Sequence, residues 1–240
     1  MNYFRNFFNW NRNIFENVSQ KIFTVNIIVF ALMFVFGGGF RAFSNIYTLI
    51  LAGAQYGKLI TISNQYFRFI TSMFVHGGIL HIFFNMYALY YLGNIVERVY
   101  GPYKFLTIYL SSGIGGALLT QLFMPDAFSV GASGAIFGLI GLLFGAGFRP
   151  DTPLLLKPMT GTALLPVILI NLFLGFTASG INNFAHIGGL LVGFTFGWLT
   201  SVSDTYTSYK KWKIAGYISL ILIIISFIWL IIFDITYLIS

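Results

Sequence analysis

A serine hydroxyl becomes a nucleophile when a base within hydrogen-bond reach takes its proton, and neutral imidazole is the usual base. The chain has three histidines, His76, His81 and His186, and no cysteine. Each histidine stands in or beside an apolar run, where ionisable groups are costly and usually functional. Ser133 opens another such run within Gly131-Ala132-Ser133-Gly134, and Asn85 follows His81 by one helical turn. Nucleophile, general base and an amide donor for a developing oxyanion are the parts that acyl transfer requires. Hydrolysis through an acyl intermediate is the chemistry in view.

Each residue also has a plainer reading. Ser133 among glycines could be a small packing residue, Asn85 an interhelical hydrogen-bond former, and His186 a satisfied structural histidine near a helix end. His76 reads as structural, bonding loop backbone. Asp126, after Met124-Pro125, reads as a turn residue, and Glu97-Arg98, ending the second span, as an inner-interface anchor with possible pairing. What favours chemistry is the depth these residues share, which the elements around them set.

Those elements are membrane helices. The chain is 58% hydrophobic and 8% charged, whereas a soluble domain carries roughly 25% charged residues. Lipid must therefore act as the solvent for most of its surface. Apolar segments able to cross occur at 21–38, 80–97, 104–124, 131–148, 160–178, 184–201 and 214–238. At ~20 residues per span, 240 residues hold one all-α polytopic bundle and no soluble domain of useful size. We expect a short N-terminal segment over 1–20, a membrane domain over 21–201, and a basic loop with an additional helix over 202–240. The first run follows the polar N-terminus without a small-residue cleavage pattern and reads as a retained span. Residues 39–79, rich in Tyr and Phe, read as an interfacial or partly embedded loop.

Seven spans with a cytoplasmic N-terminus put Arg5, Arg12, Lys21, Arg98, Lys104, Arg149, Lys157, Lys210, Lys211 and Lys213 inside. Only Arg41, Lys58 and Arg68 then lie outside, as the positive-inside rule asks. The C-terminus would be outside. The cations fall in short clusters between apolar runs, which argues against a nucleic-acid surface despite the net charge of +7. Lys210-Lys211-Trp212-Lys213 reads as a topology anchor, or more weakly as a lipid headgroup site.

Helix parity supplies the joint placement. Spans two, four and six start on one side, so His81, Asn85, Ser133 and His186 share a shallow depth of order 10 Å, at ~1.5 Å per residue. No Asp or Glu lies at that depth on a neighbouring span except Asp126 in the loop before Ser133, so the expectation is a Ser–His dyad. Gly134, Gly138, Gly141 and Gly145 form one ridge, and Gly189 and Gly193 part of another. Close backbone approach is what holds helices together in lipid, so spans four and six are expected to touch each other, or at least some neighbour, very closely.

These motifs resemble the rhomboid intramembrane serine proteases. The second span reads His76-x4-His81-x3-Asn85, then Leu89, Gly93 and Glu97; the fourth opens Gly131-Ala132-Ser133-Gly134; the sixth reads Ala185-His186-Ile187-Gly188-Gly189, then Gly193. The resemblance covers about residues 21–201, and the last helix resembles the extra C-terminal helix of some bacterial members. It implies a six-helix bundle around a water-filled cavity open to the outside, with Ser133 as nucleophile and His186 as base. His81 and Asn85 would help form the oxyanion hole, and Phe137 would pack beneath the histidine. Gly131, Gly134 and Gly189 would support the site. The fifth span and the loop 178–184 would admit a substrate helix. Family substrates are single membrane segments, and members use no metal and no cofactor. Many members carry Trp-Arg in the first loop where this chain has Phe67-Arg68, a change that touches loop anchoring. A non-catalytic relative that binds or escorts membrane proteins is the competing reading, although inactive relatives typically lack the serine or the histidine.

Overall fold

The computed structural model describes residues 15–177 and 180–239. The basic residues Arg5 and Arg12, and the first two residues of the 178–184 loop, lie outside the described residues. The chain folds as a helical membrane bundle. Its spans are α1 (Val18–Phe36), the α5–α6 pair (Ile79–Ala88, Asn94–Tyr100), α7 (Pro102–Phe123), α8 (Ser133–Ala146), α9 (Leu165–Thr177), α10 (Asn183–Leu199) and α11 (Tyr206–Ile239). Among the described residues five segments are long and apolar enough to cross a membrane, counting the α5–α6 pair as one and taking α9 with the turns before it from Leu154, whereas α8 and α10, of 14 and 17 residues, are shorter. Both sit at the centre. Nearly every α8 residue is buried, and α10 packs against α8 and α7.

Glycine explains that contact. A methyl group at Gly189 would overlap the Gly134 carbonyl oxygen, and one at Gly193 the Gly138 carbonyl oxygen. The expected encounter of spans four and six is therefore a backbone-to-backbone contact, driven by packing rather than by any hydrophobic difference from lipid. The second span is not one regular helix: Leu89–Gly93 forms a π segment between α5 and α6, of the kind frequent near functional sites.

Three expectations need correction. The stretch between the first two spans, expected as an interfacial or partly embedded loop, is more than a loop: it carries α2 (Ile46–Leu51), α3 (Gly57–Ser63) and α4 (Arg68–Thr71). It also holds β1 (Gln55–Tyr56), paired antiparallel with β2 (Phe128–Ser129). Lys210, Lys211 and Lys213 lie inside α11, which begins at Tyr206, and not in a loop; good helix formers extend the membrane helix past the apolar run. Glu97 is more than an interfacial anchor with a possible partner, because it caps α1. Its buried carboxylate accepts from the Val18 and Ser19 backbone N–H groups at 2.7 and 2.8 Å and from the Ser19 hydroxyl at 2.6 Å. Those N–H groups are first-turn donors of α1 with no intrahelical partner, and the carboxylate also complements the helix dipole. One acidic side chain thus ties the first span to the second.

Candidate active site

Ser133 is the first residue of α8, and His186 lies in the first turn of α10. The glycine contact between these helices brings Ser133 Oγ to 3.0 Å from His186 Nε2, within normal hydrogen-bond length. The Phe137 ring, one turn after the serine, stacks on the imidazole at 4.1 Å with planes 6° apart. His186 is buried, and its Nδ1 has no hydrogen-bond partner among the described residues. Stacking on Phe137 therefore fixes the ring orientation that a carboxylate fixes in a triad. Asp126 is engaged elsewhere, with Lys58 at 3.2 Å on an exposed surface.

The residues expected on the oxyanion side come from the first turns of α5 and the loop before α8. Gly131 has φ +115°, a conformation that side-chain-bearing residues rarely adopt, and an added Cβ would stand 2.6 Å from His81 Nε2. Only glycine lets the chain turn there with His81 against it. The Gly131 N–H donates to the Ser72 carbonyl at 2.9 Å, so the loop between the first two spans holds this turn. As the first residue of its helix, Ser133 presents a backbone N–H without an intrahelical acceptor. Asn85 is buried, and its amide donates to the His81 carbonyl at 2.9 Å. An amide NH2 carries two donors, and this bond uses one of them. His76 is fully buried, edge-on to His81 with ring centroids 5.0 Å apart; packing holds it.

The structure thus brings Ser133, His186, Phe137, His81 and Gly131 together, with Asn85 one turn from His81. One contributor escaped the sequence reading. Asn182 caps α10, its side chain accepting from the Ala185 N–H at 3.2 Å while its amide donates to Thr120 Oγ1 at 2.8 Å and Ser129 Oγ at 3.0 Å. The His186 N–H reaches the Asn182 carbonyl at 3.3 Å. Asn immediately before a helical run is an N-cap signal that could have placed it. Loop anchoring survives the exchange to Phe67: Arg68 is fully buried and donates to Gln65 Oε1 at 2.6 Å and to the Ile50 and Ala54 carbonyls at 2.7 and 3.0 Å.

Residues 63–203 match the family model described as Rhomboid domain. Rhomboid protease GluP of Bacillus subtilis (strain 168) is 40% identical over 170 residues, covering 71% of this chain and 32% of that protein. RHOMBOID-like protein 4 of Arabidopsis thaliana is 36% identical over 159 residues, covering 66% and 40%. Inactive RHOMBOID-like protein 8, also of Arabidopsis thaliana, is 33% identical over 145 residues, covering 60% and 41%. The chain spans less than half the length of each of these relatives.

Proposed function

The chain belongs to the rhomboid family, and from that premise we propose that it is a serine endopeptidase that cuts transmembrane proteins in or near their membrane segments by a Ser133–His186 dyad. The observation that carries this reading is the 3.0 Å approach of Ser133 Oγ to His186 Nε2. With the ring proton on Nδ1, the Nε2 lone pair takes the serine proton as Oγ attacks the scissile carbonyl. The Ser133 N–H, the free Asn85 amide donor and His81 then face the oxyanion. Collapse of the tetrahedral intermediate expels the new amine, which receives the proton back from His186. Water, activated by the same base, releases the acyl group from Ser133. Preorganised donors of this kind are each worth about 10²–10³ in kcat.

The test is cleavage of a generic single-span substrate in liposomes by wild type, Ser133→Ala and His186→Ala. Wild type should cut and both variants should lose at least ~10³-fold, since the members of such a pair act as a unit. Equal cleavage by all three sinks the reading. The similarity to a relative named inactive favours a second reading, a rhomboid-like protein that binds or escorts membrane proteins; wild type that captures the substrate without cutting it would support that one.

We place the N-terminus in the cytoplasm, with the site and the C-terminus facing outward, because the distribution of Lys and Arg favours it. A single cysteine introduced at Asp126 should label from outside. Labelling only from the cytoplasmic side reverses the orientation.

A further inference from the structure

The seventh helix carries one charge in its outer half. Between Lys213 and Asp234 there is no ionisable acid or base apart from Tyr217, and an acid within such a span is expensive unless it faces a partner. Trp212, Gly216, Ser219, Ser226 and Leu230 recur at helical spacing on the face turned to the bundle, and Asp234 continues that stripe by one turn. Its Oδ1 is buried without a hydrogen-bond partner.

What the stripe meets at this end is the Phe67-Arg68 turn. The Phe67 ring lies 6.4 Å from that of Trp229 and 6.3 Å from that of Phe233. Arg68, stacked on Phe67 at 5.2 Å, uses Nε and Nη1 on the loop, but its Nη2 is buried with no hydrogen-bond partner. The unpartnered carboxylate oxygen and the unpartnered guanidinium nitrogen belong to groups near enough to interact electrostatically. Two desolvated opposite charges, each left over by its own element, are costly apart and favourable together.

We infer that Asp234 is the counter-ion of Arg68, and that the seventh helix is thereby a positioning clamp on the loop that holds the oxyanion turn. The path is short. Arg68 opens α4, the chain continues to Ser72, and the Ser72 carbonyl accepts from the Gly131 N–H, two residues before Ser133. Releasing Arg68 loosens the support behind Gly131 without touching the Ser133–His186 pair. The effect on turnover rests on the protease reading above; the charge pairing does not.

The experiment is a double-mutant cycle in the full chain with Asp234→Asn and Arg68→Gln, read by thermal midpoint in detergent and by kcat and KM for the single-span substrate. Each single variant should lower the midpoint and reduce kcat by about tenfold, within the range for residues of one network, with KM nearly unchanged. The double variant should be no worse than the poorer single. Asp234→Glu should recover most of the loss, and it also serves if the neutral variants do not fold. Additive losses, or an Asp234→Asn protein indistinguishable from wild type, overturn the pairing. Coupled midpoints with unchanged kcat overturn the clamp while keeping the pair. A wild type that never cuts refutes the protease reading, with the midpoint cycle still deciding the pairing.

Discussion

Replacing Gly189 by alanine tests the idea that a backbone contact sets the catalytic distance. The new methyl would fall inside the Gly134 carbonyl oxygen, whereas carbon and carbonyl oxygen stay about 3.3 Å or more apart even in their closest favourable contacts. Neither atom is on a flexible side chain, so α8 and α10 must part by on the order of 1 Å. The Ser133 to His186 separation of 3.0 Å would stretch to ~4 Å, past the limit of a hydrogen bond. A misplacement of that size costs about 10²-fold in rate, or roughly 2.7 kcal/mol. Overpacking costs folding only about 1–3 kcal/mol. Against a stability of about 5–15 kcal/mol, nearly all the protein stays folded, so the loss must come from geometry. A fluorophosphonate probe reads serine activation directly, without a protein substrate. Gly189→Ala should be labelled about 100-fold more slowly than wild type while keeping a cooperative melt. Gly77→Ala serves as control: its added carbon would meet its nearest neighbours at an ordinary 3.6 Å, and labelling should stay within about twofold. A folded Gly189→Ala protein labelled at the wild-type rate would refute the reasoning.

Two further outcomes are expected. Asn85→Ala should lower kcat by about 10²-fold with little change in KM, because its remaining donor acts on the oxyanion rather than on bound substrate; a rise in KM at constant kcat would move Asn85 out of that role. The Arg149 guanidinium and the Ser201 hydroxyl hold the Asp151 carboxyl down to about 2. A depressed carboxylate pKa contributes stability above the unfolded value, near 3.9, and loses it as pH falls through the folded one. The midpoint gap between wild type and Asp151→Asn, small because the pair is exposed, should therefore hold from pH 7 to about 4. It should close between about 4 and 2, and a gap constant down to pH 2 would count against this pairing.

The Ser133–His186 encounter is legible in the sequence because two local facts suffice: alternate spans start on one side, and glycines at helical spacing mark the helices that touch. Phe137 comes only from the resemblance to the family, and Asn182 escaped the reading although its place before a helical run carries a capping signal. Other features depend on partners far along the chain. Nothing local to Glu97 says that it will cap α1, since its acceptors pair with N–H groups 78 and 79 residues away. The Gly131 turn is held by Ser72, and β1 meets β2 across more than 70 residues. Short helices in the 39–79 loop carry too few residues for a periodic signal, and the π segment at Leu89–Gly93 leaves no mark in composition.

The brevity of α8 has a consequence for where water is needed. Fourteen residues rise about 21 Å, some 9 Å less than a hydrocarbon core of about 30 Å. Most membrane helices this short would thin the bilayer or tilt. Nearly every residue of this one is buried among its neighbours, so lipid meets the longer helices around it rather than α8 itself. In the proposed orientation its missing turns leave Ser133, the first residue of the helix, below the outer membrane surface, and the proposed hydrolysis requires water to reach it there. The depth of Ser133 within the bundle is a property of the protein, whereas the thickness of the lipid around it belongs to the membrane. On that reading a thicker bilayer leaves the fold unchanged and lengthens the path that water must take to the serine.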